Sequence, residues 1–476
     1  MKKKLYLLAL LAGLGLPLGA QPLTPVQLQS DFALFRRALA EAHPAPYRYT
    51  PKAQLDAKFD SVQARLDQPM TRQAFYAAVM PLVVALRCGH TKWMAPGQPE
   101  KYPFHATDLF PLHLYFVGER AWVQGSYGPQ TVPAGTEITR INGVPTAAVV
   151  GNLLPVLTFA DGRTTTGKYE DLNRYFPGVY ATFVGTASTY EVTYRTPAGE
   201  GQAVLPAVTR QDIEAYEAKR KPAAQQPARI QWVDPETALL TIDRFQIGKE
   251  EQDYPAFLKE TFRQLKAKQT RSLVIDLRNN EGGKDLYGTL LYSYLARAPF
   301  RYYTHIGVAQ KKKFSFDAWT PKIYSLARLL MIRKTDAGYV FKSRRRLKTW
   351  KPQRDAFGGD VYVLINGNSF SVTTEFASVA HHHRRATFIG QETGGGYYGD
   401  NSGAFAVVRL PNSNLELGVP LLAYYSAVQG YPWPDRGILP DHAVVPTIDE
   451  MLRGQDRAMQ LALDLIRRKA GRAAGN

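Results

Sequence analysis

The chain has 476 residues, which is too long for one hydrophobic core, so roughly two to four domains are expected. Its composition, 45% hydrophobic and 12% aromatic, is that of a globular protein and excludes a largely disordered chain. The formal net charge of +18 is uneven, because residues 301–354 carry fifteen Lys or Arg against two Asp. Nucleic-acid-binding proteins usually carry a basic face on a recognisable module, so we expect no nucleic-acid partner.

The first twenty residues have the pattern of a secretory signal peptide. Three lysines at positions 2–4 precede an apolar stretch over 5–18, and small residues stand before Gln21. The alternative is an N-terminal membrane anchor, but the apolar stretch is short for a span of about 20 residues. We therefore expect a signal peptide over residues 1–20 and an exported protein, periplasmic or extracellular.

The N-terminal half divides into a helical part and a strand-rich part. Residues 24–95 repeat apolar side chains three and four positions apart, which predicts helices. Residues 106–205 contain short strand-like stretches separated by turns, which predicts a small β domain. Residues 209–227 are charged and rich in alanine, which indicates a connector.

The C-terminal half alternates strands and helices. Apolar stretches at 238–245, 272–278 and 361–366 predict buried strands. An amphipathic stretch at 253–268 predicts a helix between the first two of them. This alternation favours an α/β core.

A serine stands where the last of these strands gives way to a helix. The strand breaks at residues 366–368, and a helical pattern begins near Ser371. Such a turn exposes the hydroxyl, while the helix N-terminus offers free N–H groups and a positive dipole end to an oxyanion. Gly282 and Gly283 follow the preceding buried strand, and adjacent glycines let backbone approach a ligand closely.

Together these motifs resemble a known family. The stretches IDLRNNEGG, LINGNSFSVTTEF, GQETGGG and GILPDHAV resemble, in order and spacing, the C-terminal-processing (tail-specific) peptidase superfamily of serine proteases. The chain is closer to the tricorn-like and retinoid-binding-protein-like branch than to the Ser/Lys branch. The resemblance covers nearly the whole mature chain and implies an α/β fold with a ClpP/crotonase-like catalytic core.

The resemblance also implies a nucleophile and a base. Ser371 is the expected nucleophile, with Ser369 as the near alternative. The Ser/Lys branch carries a lysine in the glycine-rich loop, where this chain has Gly396, and residues 386–408 contain no lysine. His90 matches the histidine of the tricorn-like branch, and its unperturbed pKa of about 6.5 suits a general base.

The remaining site residues follow from the same resemblance. Asp435 matches the acidic position expected to orient the base, with Asp441 as the alternative. The backbone N–H groups of Gly283 and Val372 are the expected oxyanion donors. We expect no cofactor. We also expect no metal, because three successive histidines at 381–383 cannot converge on one ion.

The sequence and the resemblance together predict the order of domains. The β domain contains PAGTEITRING and resembles a degenerate PDZ module, a class that binds peptide C-termini by strand addition; a packing domain without a groove is the alternative. The predicted segments are a signal peptide (1–20), a helical domain (21–105), the PDZ-like β domain (106–208), a connector (209–229), an α/β catalytic domain (230–450) with a basic insert (301–354), and a C-terminal helix (451–476).

Two functions fit these observations. The first is a secreted or periplasmic serine endopeptidase that hydrolyses proteins or peptides through an acyl-enzyme. The second is a non-catalytic ligand-binding or scaffold protein that retains the fold, because fold alone does not decide activity. The basic insert is either a solvated loop or a surface for an anionic membrane or an acidic partner, and residues 323–334 have apolar residues near helical spacing.

Overall fold

The computed structural model describes residues 21–221, 223–336 and 338–474. The predicted signal peptide lies outside these residues. The described chain forms a helical region, an antiparallel β region and an α/β core, in that order, which confirms the predicted fold class. None of its helices combines the length and the apolar character needed to cross a bilayer.

The helical region begins the described chain. Its elements are α1 (Pro25–Ala42), α2 (Lys52–Gln63), α3 (Arg72–Ala85) and the short strand β1 (Lys92–Met94). Thr24 and Gln27 form a capping box at the start of α1, and Thr71 caps α3. The apolar faces of the three helices meet in one buried core. His90 lies in the short connection between α3 and β1.

The β region is one antiparallel sheet covered by two helices. Its strands are β2 (Leu112–Val117), β3 (Arg120–Ser126), β4 (Glu137–Ile141), β5 (Val144–Pro145), β6 (Thr189–Thr196) and β7 (Gly199–Pro206). The order is β2-β3-β4-β6-β7, with β5 paired to β4. Helices α4 (Thr146–Leu153) and α5 (Thr166–Phe183) bury their apolar sides in the same core. The sequence did not predict α5, because Pro177 and the non-helical Tyr175 interrupt its pattern.

The predicted connector contains a helix of its own. Helix α6 (Arg210–Arg220) begins at Thr209, whose hydroxyl forms a capping box with Asp212. Lys219 and Arg220 lie in its last turn, where they interact favourably with the helix dipole. The first half of the predicted connector is therefore a capped helix.

The α/β core is built on a mostly parallel sheet. Its strands are β8 (Ala228–Asp234), β9 (Thr237–Ile242), β10 (Ser272–Asp276), β16 (Asp360–Ile365), β17 (Thr387–Gly390) and β20 (His442–Ala443), in the order β20-β17-β16-β10-β9-β8. Helices α7 (Tyr254–Ala267), α8 (Asp285–Ser293) and α11 (Val372–His382) pack on it. Because β10 and β16 are parallel neighbours, their carboxyl ends meet at one edge. The glycines that follow β10 therefore lie beside Ser371, which follows β16.

The basic insert is folded onto the core and is not a solvated loop. It contains β11 (Phe300–Arg301), β12 (Tyr303–Val308), α9 (Lys322–Met331), β13 (Ile332–Thr335), β14 (Gly338–Phe341), α10 (Arg344–Leu347) and β15 (Thr349–Trp350). Two further core strands, β18 (Asn401–Arg409) and β19 (Glu416–Ser426), pair with each other. The insert strands extend this second sheet in the order β1-β19-β12-β14-β13. The helical region and the insert thus share one sheet with the core.

The chain ends in two helices where the sequence predicted one. Helix α12 (Ile448–Leu452) is short, and α13 (Arg457–Ala474) packs Ala458 and Ala462 against the central strands. The two helices separate at Gly454, whose φ of 66° lies in the left-handed region and ends the first of them.

Candidate active site

Ser371 occupies a strained turn between β16 and α11. It is the N-cap residue of α11 and has φ 56° and ψ −127°, a conformation that non-glycine residues rarely adopt. Gly282 packs against this turn, and a Cβ there would lie 2.8 Å from Ser371 Cβ and 2.9 Å from the Val372 nitrogen. The turn presents a half-buried serine hydroxyl beside the N-terminus of a helix.

The alternative nucleophile has no access to reactants. Ser369 is fully buried, and its hydroxyl donates a hydrogen bond to the Leu277 carbonyl at 2.9 Å. The same oxygen accepts the N–H of Asn366 at 3.0 Å. Ser369 therefore fixes the turn that carries Ser371, and the structure favours Ser371 of the two.

Ser371 lines a cleft of about 670 Å³ together with His90, Gly283 and Val372. This volume lies in the usual range of ligand-binding clefts. In the described structure, neither the Gly283 N–H nor the Val372 N–H donates a backbone hydrogen bond. Gly283 has φ 141°, and a Cβ there would lie 2.0 Å from the Gln246 nitrogen, so no larger residue fits. Two uncommitted N–H groups next to a serine hydroxyl are what an oxyanion site requires.

His90 reaches the same cleft from the helical region. Its ring stacks on Phe370 with centroids 4.6 Å apart. Burial lowers the pKa of His90 below its ordinary value, so the imidazole is neutral and able to accept a proton at neutral pH. Its Nδ1 is buried and has no hydrogen-bond partner among the residues described. The structure records no hydrogen bond between the Ser371 hydroxyl and the His90 ring, although both line the cleft.

Two buried carboxylates lie beside His90. One ligand atom each from His90, Asp161 and Asp400 lie within 4.8 Å of one another. Asp161 accepts the N–H of Gly89 at 2.9 Å and the N–H of Gly396 at 3.3 Å. Burial and the charge of Asp400 raise the pKa of Asp161 to about 7, so this pair retains a proton close to neutral pH.

Asp400 is the carboxylate with an uncommitted oxygen. Its Oδ1 accepts the Ser402 hydroxyl at 2.8 Å, while its Oδ2 is buried without a partner in the described chain. The negative charge of Asp400 raises the pKa of His90 and opposes the larger effect of burial. The unpartnered oxygen and the unpartnered His90 Nδ1 are complementary groups within one small cluster.

Asp435, the predicted orienting residue, is engaged by two arginines in the described structure. Its carboxylate lies 2.8 Å from Nε of Arg163 and 3.9 Å from Nη1 of Arg87, and it does not line the cleft. The alternative, Asp441, accepts the N–H of Phe388 at 2.7 Å in the core sheet. Both aspartates stabilise loops, and the carboxylates near the base come from elsewhere in the chain.

The sequence contained little to reveal the two carboxylates. Asp400 lies four residues after Gly396, in a loop that attracted attention only for its missing lysine. Asp161 lies between the strand patterns of the β region, in a stretch with no motif. They lie close to His90 only because three segments that are distant in sequence fold against one another. A local sequence pattern does not predict such long-range contacts.

The same cluster contains residue types that bind divalent cations. One imidazole and two carboxylates at this spacing are a possible ligand set for zinc. However, both oxygens of Asp161 already accept backbone N–H groups, and a metal would compete with those hydrogen bonds. The cluster therefore fits a histidine held by carboxylates better than a resident metal site.

The fold and the site together define a class of protein. Residues 236–444, which contain most of the α/β core, match the family model described as peptidase family S41. The chain is a serine-type peptidase, so its substrates are proteins or peptides. This match confirms the resemblance to the C-terminal-processing peptidase superfamily that the motifs predicted.

Solved structures share this fold. Mature CPAF is 14% identical with a TM-score of 0.59, and the match covers 90% of this chain and 94% of that chain. Mature CPAF complexed with lactacystin is 14% identical with a TM-score of 0.61, covering 93% of this chain and 97% of that chain. At this identity the similarity establishes a common fold.

Proposed function

We propose that the chain is an exported serine endopeptidase with Ser371 as nucleophile and His90 as general base. One observation carries the proposal: Ser371, His90 and the uncommitted N–H groups of Gly283 and Val372 line one cleft. A carrier that merely retained the fold would not need a strained serine turn facing two free backbone donors.

The chemistry then proceeds in two stages. Ser371 Oγ forms a bond to the peptide carbonyl carbon while its proton passes to His90, and the N–H groups of Gly283 and Val372 bind the oxyanion. The C–N bond breaks as His90 returns the proton to the leaving amine. A water molecule then attacks the acyl ester and loses a proton to His90. The bond between the acyl carbon and Ser371 Oγ breaks as His90 returns that proton to Oγ, which releases the product acid and free Ser371.

We assign the orienting role to Asp400 in place of Asp435. The unpartnered Oδ2 of Asp400 can accept a hydrogen bond from the Nδ1–H of His90, which directs the other ring nitrogen toward Ser371. Asp161 supports this arrangement, because its own carboxylate is fixed by Gly89, the residue before His90.

Covalent labelling tests the nucleophile. A fluorophosphonate probe should label the intact protein and the Ser369→Ala variant but not Ser371→Ala, because Ser371 lines the cleft whereas the Ser369 hydroxyl is buried against the Leu277 carbonyl. Peptide hydrolysis should be lost in Ser371→Ala and in His90→Ala. A label that persists in Ser371→Ala would overturn the assignment, provided circular dichroism shows each variant folded.

The location of the protein is part of the proposal. The signal pattern over residues 1–20 supports export and removal of that segment before Gln21. N-terminal sequencing of the protein from a periplasmic or culture-supernatant fraction should begin at Gln21. Protein that remains in the cytoplasm with residue 1 intact would contradict export.

We also propose that α9 attaches the protein to anionic membrane surfaces. Its outer side exposes apolar residues one turn apart, with Ile323 77%, Leu326 59% and Leu330 62% exposed. Trp319, 65% exposed, extends the patch. A helix with such a face, flanked by cations, is typical of interfacial binding. The exposed cations close to it in the sequence are Lys312, Lys313, Lys322, Arg333 and Lys334.

Vesicle flotation tests this attachment. The protein should float with vesicles containing phosphatidylglycerol but not with pure phosphatidylcholine. Binding should weaken as salt rises from about 0.1 M to about 1 M, where the Debye length falls from about 10 to about 3 Å. Leu326→Ser with Leu330→Ser should abolish flotation, whereas Val26→Ser, which changes an even more exposed apolar residue of α1, should not. Membrane attachment would be refuted if the protein did not float with the vesicles. It would also be refuted if the unaltered protein formed a dimer that the double variant did not form.

A further inference from the structure

The wall of the candidate active site carries several charged side chains that the proposed chemistry does not use. The cations are Lys284, Arg345 and Arg346, and the acids are Asp285 and Glu375. Arg345 and Arg346 belong to α10, so the basic insert contributes directly to the cleft.

The two acids supply no uncompensated negative charge. Asp285 forms an ion pair with the guanidinium of Arg346, whose Nη2 lies 3.2 Å from Asp285 Oδ1. Glu375 is buried and accepts the hydroxyl of Tyr303 at 2.6 Å. Burial and the charge of Asp400 raise the pKa of Glu375 well above its ordinary value, which disfavours its charged form.

The other two cations are not neutralised. The amino group of Lys284 donates a hydrogen bond to the Ile247 carbonyl, a neutral acceptor. Arg345 is exposed, and the ion pairs found in the described chain do not include it. The residues that line the cleft therefore carry an excess of positive charge close to Ser371.

We propose that this cleft selects peptides with a carboxylate near the bond to be cleaved, and that Arg345 is the residue that recognises it. The proposal rests on the function assigned to Ser371 and concerns which substrate the same site accepts. Arg345 offers a planar, bidentate donor that matches a carboxylate, and a half-enclosed cleft strengthens the attraction relative to open solvent. The carboxylate belongs either to an Asp or Glu side chain or to the peptide C-terminus.

A binding measurement on Ser371→Ala tests this selection without turnover. Fluorescein-labelled octapeptides would carry one Asp at successive positions, each beside an Asn twin, and all would be C-terminally amidated. One further peptide would lack Asp and carry a free C-terminal carboxylate. We expect an Asp peptide to bind about tenfold more tightly than its Asn twin in fluorescence anisotropy. Tighter binding of the free-terminus peptide instead would identify the terminal carboxylate as the recognised group.

Arg344 provides a matched control within the same short helix. Like Arg345 it is exposed, but it does not line the cleft. Adding Arg345→Ala to Ser371→Ala should remove the preference for the carboxylate, and Arg345→Glu should favour a Lys peptide. Adding Arg344→Ala should change neither. The proposal would be overturned if Arg345→Ala and Arg344→Ala weakened binding equally. It would also be overturned if each Asp peptide bound no more tightly than its Asn twin, or if neither bound detectably.

The two proposals fail in different ways. If Ser371 is not the nucleophile, fluorophosphonate labelling persists in Ser371→Ala while the binding preference for a carboxylate remains. If Arg345 does not select substrate, the twin peptides bind alike while labelling still depends on Ser371. In the hydrolysing protein, Arg345→Ala should raise KM for the Asp peptide and leave kcat nearly unchanged, as expected for uniform binding.

Discussion

At the scale of single residues, the site is defined by groups that lack ordinary partners. Ser371 keeps a backbone conformation that costs roughly 1–3 kcal/mol for a non-glycine residue. His90 Nδ1 and Asp400 Oδ2 are buried without hydrogen bonds in the described chain. An unsatisfied buried polar group costs roughly 1–3 kcal/mol, so these features persist only where the surrounding fold holds them. Such departures from local preference are typical of functional sites.

Asp400→Asn should change both the rate and its pH dependence. Peptide hydrolysis requires neutral His90, and burial lowers its pKa, so the acid limb of kcat/KM should have a midpoint below about 6.5. The Asp400 charge raises the pKa of His90, so its removal should move this midpoint to still lower pH. The plateau should fall by roughly a hundredfold or more, because an amide no longer holds His90 in the tautomer with the proton on Nδ1.

Asp435→Asn is the matched control for this change. It breaks an exposed pairing with Arg163, which is worth roughly 0–1 kcal/mol, and leaves the cleft intact. Its pH profile should therefore coincide with that of the unaltered protein. A large loss in Asp435→Asn with none in Asp400→Asn would restore Asp435 as the orienting residue.

At the scale of elements, the site depends on two neighbouring parallel strands. The turn after β10 and the turn after β16 touch through Gly282, whose φ of 98° and close contacts exclude a side chain. The Phe245 and Gln246 N–H groups both donate to the Gly282 carbonyl, which fixes the glycine pair from the other side. The oxyanion donors are thus positioned by backbone packing between elements.

Gly282→Ala should therefore impair catalysis more than binding. The added Cβ would force the two turns apart, and a displacement of about 1 Å at a catalytic group can cost roughly a hundredfold in rate. We expect kcat to fall by that order while KM changes little, as measured in steady-state hydrolysis. Gly358→Ala is the control, because nothing lies within 4 Å of its added Cβ, and it should retain full activity. Unchanged kcat in Gly282→Ala would contradict the placement of Gly283 as an oxyanion donor.

The elements also show what sequence could and could not predict. Apolar stretches predicted β9, β10 and β16, because buried parallel strands are continuously hydrophobic and end in turn residues. The turn at Ser371 was found for the same reason. Helix α5 was missed because its helical form depends on burial in the β region and not on its own pattern. Asp400 was missed because the choice between acidic loop residues depends on long-range loop paths.

At the scale of the whole molecule, three regions meet at the segment around Asp161. Its carboxylate accepts N–H groups from Gly89 of the helical region and Gly396 of the core, although Asp161 itself belongs to the β region. The next residue, Gly162, donates its N–H to the Arg87 carbonyl at 2.9 Å. This segment therefore holds His90 against the core that carries Ser371, and assembly of the site depends on the association of all three regions.

Asp161 should make the stability of this assembly depend on pH. The pKa of Asp161 is raised to about 7 in the folded protein, so the folded state binds an extra proton between about pH 4 and 7. Stability from this group is complete below its unfolded pKa and is lost as pH rises through the folded value. The Asp161→Asn variant has no titrating group at this position. The free energy of unfolding of the unaltered protein minus that of the variant should therefore fall from pH 5 to pH 8, by on the order of a few kcal/mol. Thermal unfolding midpoints of both proteins at the two pH values measure this change. A stability difference that stays constant or grows with pH would show that Asp161 is ionised throughout.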